Sequence, residues 1–478
     1  MADKRPRMGN KIRGIRRRAG LTQAGLANQL GISASYLNLI ENNRRPLTAP
    51  LLIKLAEQFE LDLRSFSSGD DERLLADLFE VFGDPLFEAH ELSNADLQEL
   101  TASCPQVARA LPSLYRAYRQ SREAFAGLED SLSEDDPTPG LGRHQLPSEE
   151  VSDLLQRHYN YFRTLEEAGD QLHRAAGLGA DETDSFGAMA RLLRSAHSIA
   201  VELRPREAMQ GAMRRYLPDQ KILALSRVLL PESRNFQLAH MLALLSQREA
   251  LDNVVAANPL STPQTRDLCR VALASYVAGA VLMPYTDFYE AAGAERYDIE
   301  ILARRFGTSF EQVCHRLTTL QRTGQRGVPF HLVRIDIAGN ISKRFTASGL
   351  HFARFSASCP LWNVHAAFHT PGRIRVQLSQ MPDGAAFLCV ARTVRRSSEG
   401  YGSPYALQSI EMGCDVQHAR QLVYSDGIDL EGDAAVPVGT TCRLCDRIRC
   451  EQRAFPPLHH PLSVNENVRG VSLYAPVS

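Results

Sequence analysis

Gln23-Ala24-Gly25-Leu26-Ala27-Asn28-Gln29-Leu30-Gly31-Ile32-Ser33-Ala34-Ser35-Tyr36-Leu37-Asn38-Leu39-Ile40-Glu41-Asn42 reads as two short helices joined by a glycine turn. Leu26, Ala27 and Leu30 form an inward stripe behind a Thr22 cap, and Gly31 supplies the left-handed stop. Ser33 caps the next helix, where Tyr36, Leu37 and Ile40 recur at helical spacing. Two such helices around a glycine turn make a helix-turn-helix. Upstream, Lys11 to Arg18 predicts a short basic helix ending at Gly20; downstream, Leu51, Leu52, Leu55 and Phe59 predict one more. Lys4, Arg5, Arg7, Lys11, Arg13, Arg16, Arg17 and Arg18 face a single acid, Asp3, in that head. On a chain whose net charge is only −1, so local a basic excess is the footprint of a nucleic-acid contact.

The same stretch resembles the phage-repressor-like (XRE) family, whose recognition helix lies in the major groove. That resemblance makes Ser33, Ala34, Ser35, Asn38 and Asn42 the base-facing candidates, their short or amide side chains suiting base edges. Gln23, Asn43, Arg44, Arg45 and Arg17 are expected near phosphates. One recognition helix reads few base pairs, so a homodimer on an inverted repeat of double-stranded DNA is expected, with half-sites about 34 Å apart or a multiple of that.

At 478 residues the chain has room for several domains. The expected division is 1–68, the helix-turn-helix; 69–147, a helical connector closed by an acidic linker; 148–324, a helical core; and 325–478, an α+β domain with antiparallel strands. The fold class is thus multidomain and mainly α, with an α+β end. Leu74, Leu75, Leu78 and Phe82 suit one connector face, and Leu111, Leu114, Tyr115 and Tyr118 another. Glu129 to Pro147, with Glu134, Asp135 and Asp136, reads as surface linker. No apolar run approaches the roughly 20 residues that span a bilayer, and the basic N-terminus leads into no apolar signal segment. A cytoplasmic protein without membrane contact is expected, and its nine cysteines then read as reduced, buried or metal-binding rather than as disulfides.

In the middle, Arg234-Asn235-Phe236-Gln237-Leu238-Ala239-His240-Met241-Leu242-Ala243-Leu244 resembles the zinc helix of ImmA/IrrE-type metallopeptidases, framed F-x-L-A-H-E-x-x-H. Two His at i and i+4 hold zinc there, with the Glu as general base. Only His240 survives: Met241 replaces the base and Leu244 the second ligand. Val271 and Leu273, where a carboxylate ligand would come, are apolar. One imidazole cannot hold a catalytic zinc, so no enzyme is expected. A DNA-binding peptidase is the alternative those absences oppose. The cleft remains free to bind a small molecule. Arg204, Arg206, Arg214, Arg215 and Lys221 could meet phosphates, and Tyr216, Tyr276 and Tyr285 could stack or hydrogen-bond beside His240.

Beyond residue 328 apolar alternation takes over, at Leu332 to Ile337, Ile374 to Leu378 and Phe387 to Val394, which is antiparallel strand chemistry. Near the end, Cys442, Cys445 and Cys450 stand at C-x2-C-x4-C spacing, with Arg443, Arg447, Arg449 and Arg453 threaded among and after them. Thiolates so close can face one metal centre whose negative charge the guanidiniums offset. The spacing admits an iron–sulfur cluster or zinc, with Cys414, His459 or His460 as a fourth zinc ligand.

A-G-N-I-S-K-R-F at Ala338 to Phe345, C-P-L-W-N at Cys359 to Asn363 and C-R-L-C-x-R-x-x-C-x-x-R-A-F-P-P at Cys442 to Pro457, behind the two earlier motifs, resemble the short-chain fatty-acyl transcriptional regulator family. The resemblance runs from about Met8 to Pro457. It implies a transcription factor of propionate- or acetate-type carbon metabolism that binds coenzyme A or a short-chain acyl-CoA centrally. It further implies a 4Fe–4S cluster on Cys442, Cys445 and Cys450, with Cys414 a possible fourth ligand.

Overall fold

The computed structural model describes residues 12–13, 16, 21–41, single positions between 45 and 59, 68–87, 94–131, 146–179, 184–350, 352, 358–395, 406–431, 434–443, 445–456 and a few beyond 467. They divide into two compact units. One takes 1–141, 353–356 and 453–478, the other 142–352 and 357–452.

In the first unit, α1 (Gln23–Leu30) starts where the Thr22 hydroxyl accepts from the Gly25 N–H and stops at Gly31, whose φ is 71°. The Ser33 hydroxyl accepts from the Tyr36 N–H and starts α2 (Ala34–Glu41). Ile12, Leu26, Leu30, Leu37, Ile40 and Leu55 close one small core. Three further helices follow, α3 (Ser68–Phe82), α4 (Asn94–Ser103) and α5 (Pro105–Ser131). Leu74, Leu78 and Ala108 join them, with Phe82 and Leu111 packed alongside. Leu114, expected on the inner face, is 68% exposed. Tyr115, expected on the same face, is buried and its hydroxyl donates to Asp84. Of the expected acidic linker, residues 132–145 lie outside the described residues.

The second unit begins with α6 (Pro147–Arg157), α7 (Arg163–Ala175) and α8 (Ser185–His197). A three-stranded sheet follows, in which β3 (Ile222–Ser226) pairs parallel with β1 (Ala200–Arg204) and antiparallel with β2 (Arg214–Leu217). Then come α9 (Pro231–Ser246), α10 (Arg248–Ala256), α11 (Pro263–Leu282), α12 (Tyr285–Ala294), α13 (Ile299–Phe306) and α14 (Phe310–Thr318). Helix α11 is the central rod. At Gly169 of α7 a Cβ would stand 2.5 Å from the Ala280 Cβ, so only glycine lets α7 lie against it. The rod is held by a fully buried ion pair: Arg316 of α14 reaches both oxygens of Glu166 at 2.6 and 2.8 Å and the Met283 carbonyl at 2.9 Å. No single described helix is long and apolar enough to cross a membrane; α11 and α12 pass together only across a 66° bend, and both are packed into this core.

The last part of this unit is a six-stranded sheet in the order β9 (Val436–Pro437), β6 (Arg375–Gln380), β7 (Ala386–Arg395), β8 (Leu407–Asp415), β4 (Phe330–Asp336), β5 (Ile341–Thr346). Only the β9–β6 pair is parallel. Leu332, Leu388, Val390, Ile410 and Met412 point into the helical core. Alternate residues Val333, Ile335, Phe387 and Cys389 meet Phe352, Cys359, Trp362, Val364 and Val438 in a second core. The first core runs unbroken from Val151 to Leu422, across the expected boundary at residue 324. Because both faces are covered, the polar positions of β4 are buried too, and Arg334 reaches Glu311 of α14 at 2.5 Å. The A-G-N-I-S stretch is the β4–β5 turn. Asp336 accepts from the Ala338 and Asn340 N–H groups and the Asn340 amide, with Gly339 at φ 86°.

Candidate functional site

Three polar constellations carry chemistry. The first is the face of α2. Ser33, Ala34, Ser35 and Asn38 are exposed along it, while Leu37 and Ile40 anchor its back. Gln23 departs from its expected phosphate contact: its amide donates to Glu41 at 2.8 Å and approaches the Asn38 oxygen at 3.5 Å. Glu41 is fully buried. Burial pushes its carboxyl up, but Arg16, Gln23 and Arg13 outweigh that and hold it below the ordinary carboxylate range. Part of the basic head is therefore structural, since Arg16 forks onto Glu41 at 2.6 and 3.1 Å. Gln23 and Arg16 meet on Glu41 and so fix the angle between the helices. Asn42, Asn43, Arg44 and Arg17 lie outside the described residues; Arg45 is exposed.

The second constellation is the cleft where α9, α11 and β2 meet. His240 is 5% exposed. Its Nδ1 accepts from Arg214 at 2.8 Å and its Nε2 donates to the Val271 carbonyl at 3.2 Å. Burial, then the Arg214 charge, push its imidazole down to about 4, so it is neutral with the proton on Nε2. Burial also lowers Arg214. A guanidinium thus stands on the imidazole nitrogen, and no metal can take that lone pair while Arg214 stays. Val271, in place of a carboxylate ligand, is 47% exposed at the cleft.

The other arginines expected here grip their own neighbourhood. Arg204 holds Glu202 at 2.8 Å, and Arg215 holds the Met209 carbonyl and Gln210, both at 3.2 Å. Tyr216 is half-buried on β2. Tyr276 does not serve as a ligand contact. Its hydroxyl donates to Glu166 at 2.5 Å and accepts from the Phe162 N–H, inside the core. Tyr285 likewise accepts from the Arg322 N–H and donates to the Gln325 carbonyl. Both were candidates because an aromatic with a hydroxyl looks the same in sequence whether it faces a ligand or a buried carboxylate.

The third constellation is the thiol group. Cys442 is buried, and Cys445 and Cys450 are half-buried. Cys414 does not join them. It lies fully buried on β8 facing the helical core, where burial and then Asp415 push its thiol up to about 12. A further buried thiol, unremarked as a ligand in the sequence, is Cys359. Burial raises it, the Gly439 and Leu361 N–H groups pull it down, and Cys442 and Cys445 raise it again, which places those sulfurs within electrostatic reach. At Gly439 a Cβ would lie 2.8 Å from the Cys445 sulfur, so the bare backbone nests against the thiol. The signal was available in C-P-L-W-N, where Trp362 plugs the second core and Asn363 clamps the Arg375 and Cys389 carbonyls at 2.8 and 3.2 Å. Nothing local, however, ties Cys359 to a cysteine group so far along the chain. His459 and His460 lie outside the described residues.

Family comparisons match all three regions. A helix-turn-helix model covers residues 12–66, an IrrE N-terminal-like domain covers 194–318, and the C-terminal domain of short-chain fatty acyl coenzyme A regulators covers 319–474. The chain is 42% identical to the HTH-type transcriptional regulator PrpR of Mycobacterium tuberculosis over 96% of its length and 93% of the relative's. It is 40% identical to the propionyl-CoA carboxylase regulator of Cereibacter sphaeroides, and 39% identical to RamB of Mycobacterium tuberculosis, each over 98% of both chains. A solved Mycobacterium tuberculosis transcriptional regulator superposes with a TM-score of 0.66 at 42% identity, covering 70% of this chain and all of that one. These relatives are regulators rather than enzymes, in keeping with a cleft that has neither general base nor second imidazole. With a helix-turn-helix head, a peptidase-like core and a thiol-bearing sheet domain matched over nearly the whole length, the chain belongs to the short-chain fatty acyl coenzyme A regulator family.

Proposed function

We propose that this protein is a DNA-binding transcriptional regulator that works in the cytoplasm as a homodimer on an inverted repeat. Its effector is coenzyme A or a short-chain acyl-CoA of propionate or acetate metabolism. The observation that carries the reading is the exposed Ser33–Ala34–Ser35–Asn38 face on a helix capped and locked from behind, in a chain whose peptidase-like core lacks the general base and the second imidazole. The names of the relatives supply the acyl-CoA link. The half-buried Arg215 and Tyr216 on β2 remain the phosphate and stacking candidates at that cleft, since Arg215 has donors beyond the two it uses.

Cys359, Cys442, Cys445 and Cys450 suit a 4Fe–4S cluster. Four thiols, backbone N–H groups aimed at one sulfur and arginines between the ligands are the donor set and second shell such clusters take. When bound, the cluster supplies a redox-sensitive tie between the Cys359 loop and the terminal cysteine segment. Zinc on the same thiols is the second reading, favoured by the same donor count, and iron and zinc content after anaerobic purification separates the two.

The test of the regulator is footprinting combined with calorimetry. An inverted-repeat footprint is expected, and Asn38→Ala should cost about 1–3 kcal/mol and relax preference at one base position. Heat should be released with acetyl-, propionyl- or butyryl-CoA. Protein that binds DNA yet takes none of the three would end the effector reading.

A further inference from the structure

On the face of the six-stranded sheet turned away from the helices, three adjacent strands bring together an imidazole, a thiol and a carboxylate. His331 on β4, Cys389 on β7 and Glu411 on β8 are 0%, 2% and 2% exposed. One ligand-capable atom from each lies within 4.8 Å of the others. The register makes this obligatory: Gly413 pairs with both His331 and Cys389, and Glu411 is two residues before it on the same face. A Cβ at Gly413 would stand 2.6 Å from the His331 Cε1 and Nε2 and 2.8 Å from the Leu388 carbonyl, so the ring lies flat over bare backbone.

His331 and Glu411 are oriented from behind. His331 Nδ1 is engaged by the Ser348 hydroxyl at 2.7 Å, which leaves Nε2 toward the centre, 3.8 Å from the Cys389 sulfur. One Glu411 oxygen accepts from the Val364 N–H at 2.7 Å. Outer hydrogen bonds that fix the unused atom of each ligand are how metal sites set ring tautomer and carboxylate direction. The N···S separation fits as well. Zinc–nitrogen and zinc–sulfur bonds of about 2.1 and 2.3 Å at a tetrahedral angle put the two atoms about 3.6 Å apart. Burial and then Glu411 raise the Cys389 thiol, a hydrogen bond with Ser379 lowers it, and Cys414 raises it again.

We propose that His331, Cys389 and Glu411 form a second metal site, for a single zinc-class divalent ion, that staples β4, β7 and β8 together inside the second core. Three protein donors of mixed nitrogen, sulfur and oxygen type suit zinc with a water in the fourth position. The ion binds as the thiol proton leaves, and the charge it brings offsets the thiolate and carboxylate that the apolar surroundings would otherwise penalise.

The test measures zinc and iron together in the intact chain, purified anaerobically, alongside Glu411→Gln and Cys389→Ala. The expected result is one zinc per chain, lost in both variants while iron stays unchanged. X-ray absorption at the zinc edge of the intact chain should show one sulfur among nitrogen and oxygen scatterers, and this reading stands even if a variant fails to fold. Folded protein without zinc, zinc unchanged in the two variants, or a zinc shell of three or four sulfurs would each overturn the proposal. The last outcome would place zinc on the cysteine group and count against the iron–sulfur reading too; absence of iron alone would not touch this site.

Discussion

The relict cleft and the thiol group answer the same problem, a cluster of metal-type donors inside a protein, in opposite ways. In the cleft the donors have thinned to one imidazole, and Arg214 brings its own positive charge onto the lone pair a metal would use. At the thiol group the charges of Cys442 and Cys445 raise the Cys359 thiol, so a residue of a distant loop is within their electrostatic reach. A guanidinium is a cation with fixed hydrogen-bond directions that can satisfy one ring nitrogen. It cannot satisfy several thiol ligands at once, which is the task a multivalent centre performs. Donor number decides which solution a buried site takes.

The largest effect that could break this contrast concerns Cys359. Cys359→Ser should abolish iron binding as completely as Cys445→Ser, while Cys414→Ser should leave iron content untouched. Iron analysis and visible absorption after anaerobic purification check it. If Cys414 behaved as Cys359 is expected to, the assignment of the fourth thiol would be wrong.

The next is an acid transition from the cleft. His240 takes its proton near pH 6.5 when unfolded and only at about 4 when folded. The unfolded chain therefore binds more protons between those values, and stability falls on acidification through that window, by about 3 kcal/mol in full. Above pH 6.5 the contribution is flat. Denaturant unfolding from pH 7 to pH 4 should show this component in the native chain and lack it in His240→Leu.

Arg214→Met should destabilise by about 1–3 kcal/mol, because the buried His240 Nδ1 loses its donor, without any gain in zinc. A zinc-binding Arg214→Met protein would mean that the cleft had kept a latent metal site. The smallest effect is none at all: Met241→Glu with Leu244→His should yield no peptidase activity, since Val271 still offers no third ligand and Arg214 still occupies the imidazole.

The helix-turn-helix was legible in sequence because its determinants are local. Thr22, Gly31 and Ser33 act on the backbone within three or four residues, and Leu26, Leu30, Leu37 and Ile40 signal burial by period. The missing zinc ligands were legible for the same reason, as a fixed spacing on one helix. Strand alternation gave the antiparallel sheet but not that both its faces are covered, since Arg334 reads as solvent-facing until Glu311 arrives from another element. The Gln23 amide likewise meets Glu41, a partner from the next helix that local sequence does not signal.

By itself the sequence determined the local elements, the loss of the peptidase ligands and the three clustered cysteines. These rest on propensity, capping and spacing, which act over a few residues. The tertiary structure alone decided that Arg214 caps His240, that Tyr276 serves Glu166, that Cys414 faces the helical core while Cys359 feels the charge of Cys442 and Cys445, and that His331, Cys389 and Glu411 stand together. Those partnerships join residues far apart in the chain, and only the pairing of strands and the packing of helices bring such atoms within reach of one another.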